Sequence, residues 1–252
     1  MKKTLKNILL SATLGVGLLF NSCSLKYKLG SNYSGVVVFA YNNERFTQED
    51  IEKNKLELTT TTYKEGLPIY SQEDWWDIQA DKYDKDIYIS LEFYPEEVKI
   101  PEEMKIPQEI VVKKFYRLKL DILADYLRKE YPKLEEYDFL SIVYEDMNTN
   151  EIKTQGAALP YKKIFYVDGV RFSNERGGFR YMGNVFAHEF AHLIGASDKY
   201  NPDDSTNKTD KLDLMRDGSY NTDNPIGQRR GALTEQVKIT EPTAEEIGWL
   251  NQ

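Results

Sequence analysis

One cysteine and two histidines are all that this 252-residue chain holds of the side chains that most often form cross-links or bind transition metals. With Cys23 alone, no disulfide can form within the chain, so stability must come from a core and from any bound metal. A latency switch built on a cysteine in the folded body is excluded for the same reason. A basic excess is also missing: 33 Lys and Arg against 41 Asp and Glu leave a net charge of −8, which argues against a general nucleic-acid binder, since that needs a concentrated basic surface. Long apolar runs are missing beyond Ile8–Phe20, and no other membrane span is visible.

That one run reads as targeting rather than structure. Lys2, Lys3 and Lys6 precede it, and it is short for a bilayer span, so residues 1–22 are expected to be a signal peptide. Cys23 follows Leu19-Phe20-Asn21-Ser22, which resembles a bacterial lipobox, although Phe20 stands where an aliphatic residue is usual. The resemblance implies lipidation at Cys23 and an exported protein anchored in the cell envelope; the alternative is an ordinary cleaved signal and a secreted protein. Residues 23–34 then form a lipidated tether rich in polar and small residues.

About 230 residues remain, enough for one domain with a sizeable core. An N-terminal region over 35–84 is expected to precede a catalytic domain over 85–252. Val36–Tyr41 reads as a strand, and Gln48–Leu58 as a helix ended by the β-branched block Thr59–Thr62. Trp75 and Trp76 suit the core better than a ligand platform. Ile87–Phe93 is strand-like. Apolar residues at Phe115, Leu118, Ile122, Leu123, Tyr126 and Leu127 predict one face of an amphipathic helix stopping near Pro132. Phe139–Tyr144 suits a buried strand. Gln155–Val167 is extended but interrupted by Pro160, which assigns it to a sheet edge.

Both histidines fall in Ala187-His188-Glu189-Phe190-Ala191-His192-Leu193-Ile194-Gly195. On a helix, residues four apart share a face about 6 Å along the axis, so His188 and His192 can reach one Zn²⁺. Glu189 is rotated roughly a quarter turn, beside the metal rather than on it. There a carboxylate can take a proton from water and return it to a leaving amine, a service that a purely structural site does not require. Val185, Phe186, Phe190, Leu193 and Ile194 supply the helix's apolar surface, and Asn184 is the expected cap. A catalytic zinc normally takes three protein ligands. Gly195 can end the helix in a left-handed conformation, which makes Asp198 the first carboxylate after the turn.

His188, Glu189, His192, Gly195 and Asp198 match the motif His-Glu-x-x-His-x-x-Gly-x-x-His/Asp, and the chain here resembles the metzincin metallopeptidases. Leu212-Asp213-Leu214-Met215-Arg216-Asp217-Gly218 is similar to their methionine turn, with Met215 as the match. Asp217 stands where some metzincins carry a tyrosine; Tyr200 and Tyr220 are better explained by packing than by a role at the metal. The resemblance implies an α/β fold, a mixed twisted sheet with an active-site helix, a backing helix and a methionine turn. It further implies a zinc endopeptidase whose edge strand near Gly156–Ile164 binds an extended peptide or protein substrate.

Two other readings stand beside this one. In a thermolysin-like arrangement the third ligand is a later glutamate, with Glu245 and Glu246 as candidates, although they suit the solvated face of a terminal helix whose Ile247, Trp249 and Leu250 pack inward. In the other, the protein is a non-catalytic zinc-containing surface lipoprotein that binds partners. The acidic stretch with Asp203, Asp204, Asn207, Asp210 and Asp213 has oxygens enough for Ca²⁺ but lacks an ordered calcium-loop spacing, and solvated surface is the expectation.

Overall fold

A computed structural model describes residues 32–41, 45–64, 66–108, 115–144, 156–168, 182–198, 213–215 and 232–250, with the backbone alone at 105–108, 115–118 and 168. The elements run β1 (Asn32–Tyr41), α1 (Gln48–Thr59), β2 (Thr62–Lys64), β3 (Leu67–Ile69), α2 (Gln72–Asp81), β4 (Tyr88–Phe93), β5 (Val98–Lys99), β6 (Lys105–Gln108) and β7 (Phe115–Leu118). They continue with α3 (Leu120–Glu130), β8 (Phe139–Tyr144), β9 (Gly156–Leu159), β10 (Ile164–Asp168), α4 (Gly183–Leu193) and α5 (Glu241–Glu246). The architecture is mixed α/β. Its main sheet has the order β4-β1-β8-β10-β9, with β5 also pairing β1. Neighbours are parallel except for β9, which runs antiparallel to β10 at one edge.

The inner strands are apolar on both faces because helices cover both. Val37 and Phe39 of β1, with Phe139 and Val143 of β8 and Phe165 and Val167 of β10, point toward α1, α2 and α4. Val36, Val38 and Ala40, with Leu140, Ile142 and Ile164, point toward α3. Period-two alternation thus splits each strand between two cores. Trp75 and Trp76 are fully buried in the first core, as expected.

Four expectations are corrected. Asn32–Ser34 belong to β1 rather than to a tether, and β1 lies between β4 and β8; the described residues on both sides of position 84 share one sheet and one core. Phe115 and Leu118 lie in β7, paired with β6, and the helix begins at Leu120. Backbone pairing outweighed a helix-like apolar spacing there. The buried helical positions are Leu120, Leu123, Ala124 and Leu127, while Ile122 is exposed. The segment holding Pro160 is a hairpin: Pro160–Lys162 forms a 3-10 turn that ends at Lys163 in the left-handed region, at φ 51. Proline's fixed φ suits the first position of that turn, which leaves β9 at the edge and β10 inside the sheet.

The fourth concerns the start of α4. Asn184 lies inside the helix, and the residue at the cap, Met182, makes no side-chain capping bond. A distant carboxylate does the work instead: the Gly183 N–H donates to Glu57 Oε1 of α1 at 2.6 Å. Gln72 Nε2 of α2 donates to the Gly183 carbonyl at 2.8 Å. A carboxyl oxygen thus stands where a capping side chain would, at the partial positive charge of the helix N-terminus. Burial pushes the Glu57 carboxyl up to about 8, against the Gly183 and Met182 backbone groups, which act to lower it.

Candidate metal centre

Helix α4 is held by its apolar side. Phe186 meets Phe165 edge-on at 4.8 Å, and Phe190 meets Tyr33 and Trp76 edge-on at 5.3 and 5.2 Å. The opposite side carries His188 and His192, whose ring centroids lie 4.9 Å apart. Each Nδ1 is hydrogen-bonded to a backbone carbonyl at 2.9 Å, His188 to Leu214 and His192 to Ala196. With Nδ1 donating, Nε2 of each ring carries a free lone pair, the tautomer that a metal ligand needs.

The end of α4 then delivers a third donor. Gly195 has φ +113, its N–H donates to the His192 carbonyl at 3.2 Å, and the Ala196 N–H donates to the Ala191 carbonyl at 3.0 Å. These two bonds are the paired helix stop that glycine favours. The reversal brings Asp198 Oδ1 to 3.2 Å from His188 Nε2 and 3.4 Å from His192 Nε2. Among the described residues, His188, His192 and Asp198 form the group able to hold a metal ion. Ligands at zinc distances of about 2.0–2.1 Å on a tetrahedron stand roughly 3.3 Å from one another. The two separations to Asp198 are of that order, and the three ligand atoms all lie within 4.8 Å of one another, so the N₂O group could hold a metal ion.

The charges agree with that arrangement. Burial opposes ionisation of Asp198, but hydrogen bonds and charge from His188 and His192 outweigh it and hold the carboxyl well below its usual range. Burial likewise opposes a charged His192, yet Asp198, Glu189 and the Ala196 carbonyl raise its affinity for a proton. A divalent cation would take over what those protons do.

Glu189 sits beside this group and is buried. Burial, with a smaller contribution from Asp198, pushes its carboxyl up to about 7 although both histidines pull it down. It faces the edge strand: a Cβ added to Gly156 of β9 would lie 2.7 Å from Glu189 Oε1 and 2.9 Å from the Tyr166 carbonyl oxygen. Sequence reasoning named Gly156 only as part of an edge segment. A glycine inside a strand was the available sign of a close approach.

Met215 is fully buried in the core that seats α4, and the preceding carbonyl, of Leu214, accepts from His188. Asp213 departs from the expected acidic surface. Its buried carboxylate accepts from the Met215 N–H at 2.7 Å and from the backbone and hydroxyl of Thr240 and the hydroxyl of Thr243, so it is an internal junction rather than a calcium ligand. Glu246 accepts from the Ser197 N–H at 2.8 Å and its hydroxyl at 2.7 Å, whereas Glu245 is exposed. Neither glutamate joins the metal-ligating group among the described residues. Cys23, Tyr200, Asp203, Asp204, Asn207, Asp210, Asp217 and Tyr220 lie outside the described residues. Among the described residues no helix is long and apolar enough to cross a membrane.

No protein-family model matches the chain, and comparison with curated proteins returns no match.

Proposed function

We propose that the chain is a zinc-dependent endopeptidase of metzincin-like build, exported and tethered to a membrane through Cys23. The observation that carries this reading is the convergence of His188 Nε2, His192 Nε2 and Asp198 Oδ1, with buried Glu189 beside them and facing β9, the edge strand among the described residues. The antiparallel edge strand, the helix stop at Gly195 and the buried Met215 agree with the resemblance drawn from the sequence.

When bound, the ion would supply Lewis acidity toward the scissile carbonyl and the attacking water. Glu189 accepts the water's proton on a carboxylate oxygen and returns it to the departing amine nitrogen. Its raised proton affinity suits that exchange near neutral pH. Backbone groups on the outer side of β9 align an extended peptide by adding it to the sheet.

The test uses the full chain purified in detergent, assayed for zinc content and for cleavage of a mixed peptide library, beside Glu189→Gln. One zinc per chain in both proteins, with turnover lowered about 10²–10⁴-fold in the variant, is expected for a lost general base. Full activity in Glu189→Gln would refute the mechanism; no zinc in either protein would refute the metal centre.

A further inference from the structure

Helix α5 touches both loops that support the metal-binding group, one at each end. At its start, Thr240 is the cap residue, and its N–H donates to Asp213 Oδ2 at 3.2 Å; its hydroxyl bonds the same oxygen. Asp213 also receives the Thr243 hydroxyl and the Met215 N–H, and the Leu214 N–H donates to the Lys238 carbonyl at 2.8 Å. Those bonds hold the Leu214 carbonyl on which His188 Nδ1 rests. At the other end, Glu246 grips Ser197 by both its backbone N–H and its hydroxyl. Ser197 lies between Ala196, whose carbonyl holds His192, and Asp198. The Glu246 carbonyl oxygen also lies 3.5 Å from where a Cβ on Gly195 would stand, so the helix backs directly onto the reversal.

The helix is itself anchored. Ala244 is fully buried, and Trp249, just beyond the last turn, packs edge-on against Trp76 at 6.0 Å and at a tilt against Tyr83 at 5.8 Å. We infer that α5 is a strut that sets the spacing of the three metal ligands, with Glu246 and Asp213 as positioning residues. The inference rests on the zinc reading above. Groups hydrogen-bonded directly to a ligand fix its direction and are worth about 10–100-fold in metal affinity; Glu246 and Asp213 act one step further out, through Ser197 and the Leu214 carbonyl, so the lower end of that range applies. Glu246 offers the cleaner test, because it is exposed and its loss opens no cavity.

Zinc affinity is measured on the full chain in detergent by competition with a chromophoric chelator, together with the d–d spectrum of the cobalt form and the melting temperature of the metal-free protein. The proteins are wild type, Glu246→Ala, Glu246→Gln, Ser197→Ala, the double variant and Asp198→Ala. Glu246→Ala is expected to weaken zinc binding about 10-fold, the lower end of what a direct ligand partner is worth, and alter the cobalt spectrum, with the metal-free melting temperature unchanged. Glu246→Gln restores most of the affinity, since an amide can accept from the Ser197 N–H and donate to its hydroxyl. The double variant should lose less affinity than the sum of the two single losses, because the bond from the Ser197 hydroxyl to Glu246 is counted in both. Wild-type affinity in Glu246→Ala, or a loss matched by a fall in metal-free stability, would overturn the strut while Asp198→Ala still loses zinc. Unchanged zinc binding in Asp198→Ala would instead overturn the ligand set and the strut with it.

Discussion

Gly156 and Glu189 are packed so closely that the edge strand has no room for a side chain where it passes the buried carboxylate: the missing Cβ would stand 2.7 Å from Oε1 and 2.8 Å from Cγ. The sheet edge and the proposed base are thus one assembly. Gly156→Ala must push either β9 or Glu189 aside. A displacement of about 1 Å at a reacting group costs on the order of 100-fold in rate, so kcat should fall roughly 10–100-fold while zinc content is unchanged. Steady-state kinetics with metal analysis checks this; wild-type kcat would mean that the strand yields freely.

Gly195 carries a different constraint. At φ +113 an alanine is strained even though its Cβ would meet only an ordinary contact with the Glu246 carbonyl. Gly195→Ala should cost about 1–3 kcal/mol by urea unfolding and weaken zinc binding, because the reversal that aims Asp198 is disturbed. Loss of stability with wild-type zinc affinity would separate the turn from the metal site.

Protons compete with metal for His188 and His192. One zinc per chain is expected at pH 7.5, with release below about pH 5 as the imidazoles protonate. Asp198→Ala should bind zinc weakly at both. Metal analysis after dialysis reads the result; release at neutral pH, or stoichiometric zinc in the variant, would contradict the ligand set.

Glu57 makes metal-free stability depend on pH. Its carboxyl titrates near 4.5 when unfolded and about 8 when folded, where its Oε2 has no partner among the described residues. Between those values the folded protein binds more protons than the unfolded chain, so stability falls as pH rises from about 4.5 to about 8 and then levels. The change is on the order of a few kcal/mol. Glu57→Gln keeps an acceptor for the Gly183 N–H and removes the titration. Urea unfolding of chelator-treated protein at pH 5 and pH 8.5 should give a flatter dependence in the variant; equal slopes would rule out the buried protonated carboxyl.

The sequence by itself determined what depends on residues close along the chain. His188 and His192 share a face because α4 repeats every 3.6 residues, and Gly195 stops that helix because it alone adopts φ +113 without strain. Val36–Tyr41 and Phe139–Tyr144 were legible as strands from their dense β-branched and aromatic content. Tertiary structure decided what depends on distant partners. Phe115 and Leu118 have helical spacing, but pairing with β6 made them a strand. Asn184 has a capping side chain, but Glu57, 126 residues from Gly183, took the N-terminus of α4. Asp213 and Glu246 read as surface acids, yet Asp213 is bonded to Thr240 across 27 residues, and Glu246 to Ser197, beside the proposed ligand Asp198, across 49. A carboxylate's role is set by which donors surround it after folding, and no local pattern records those donors.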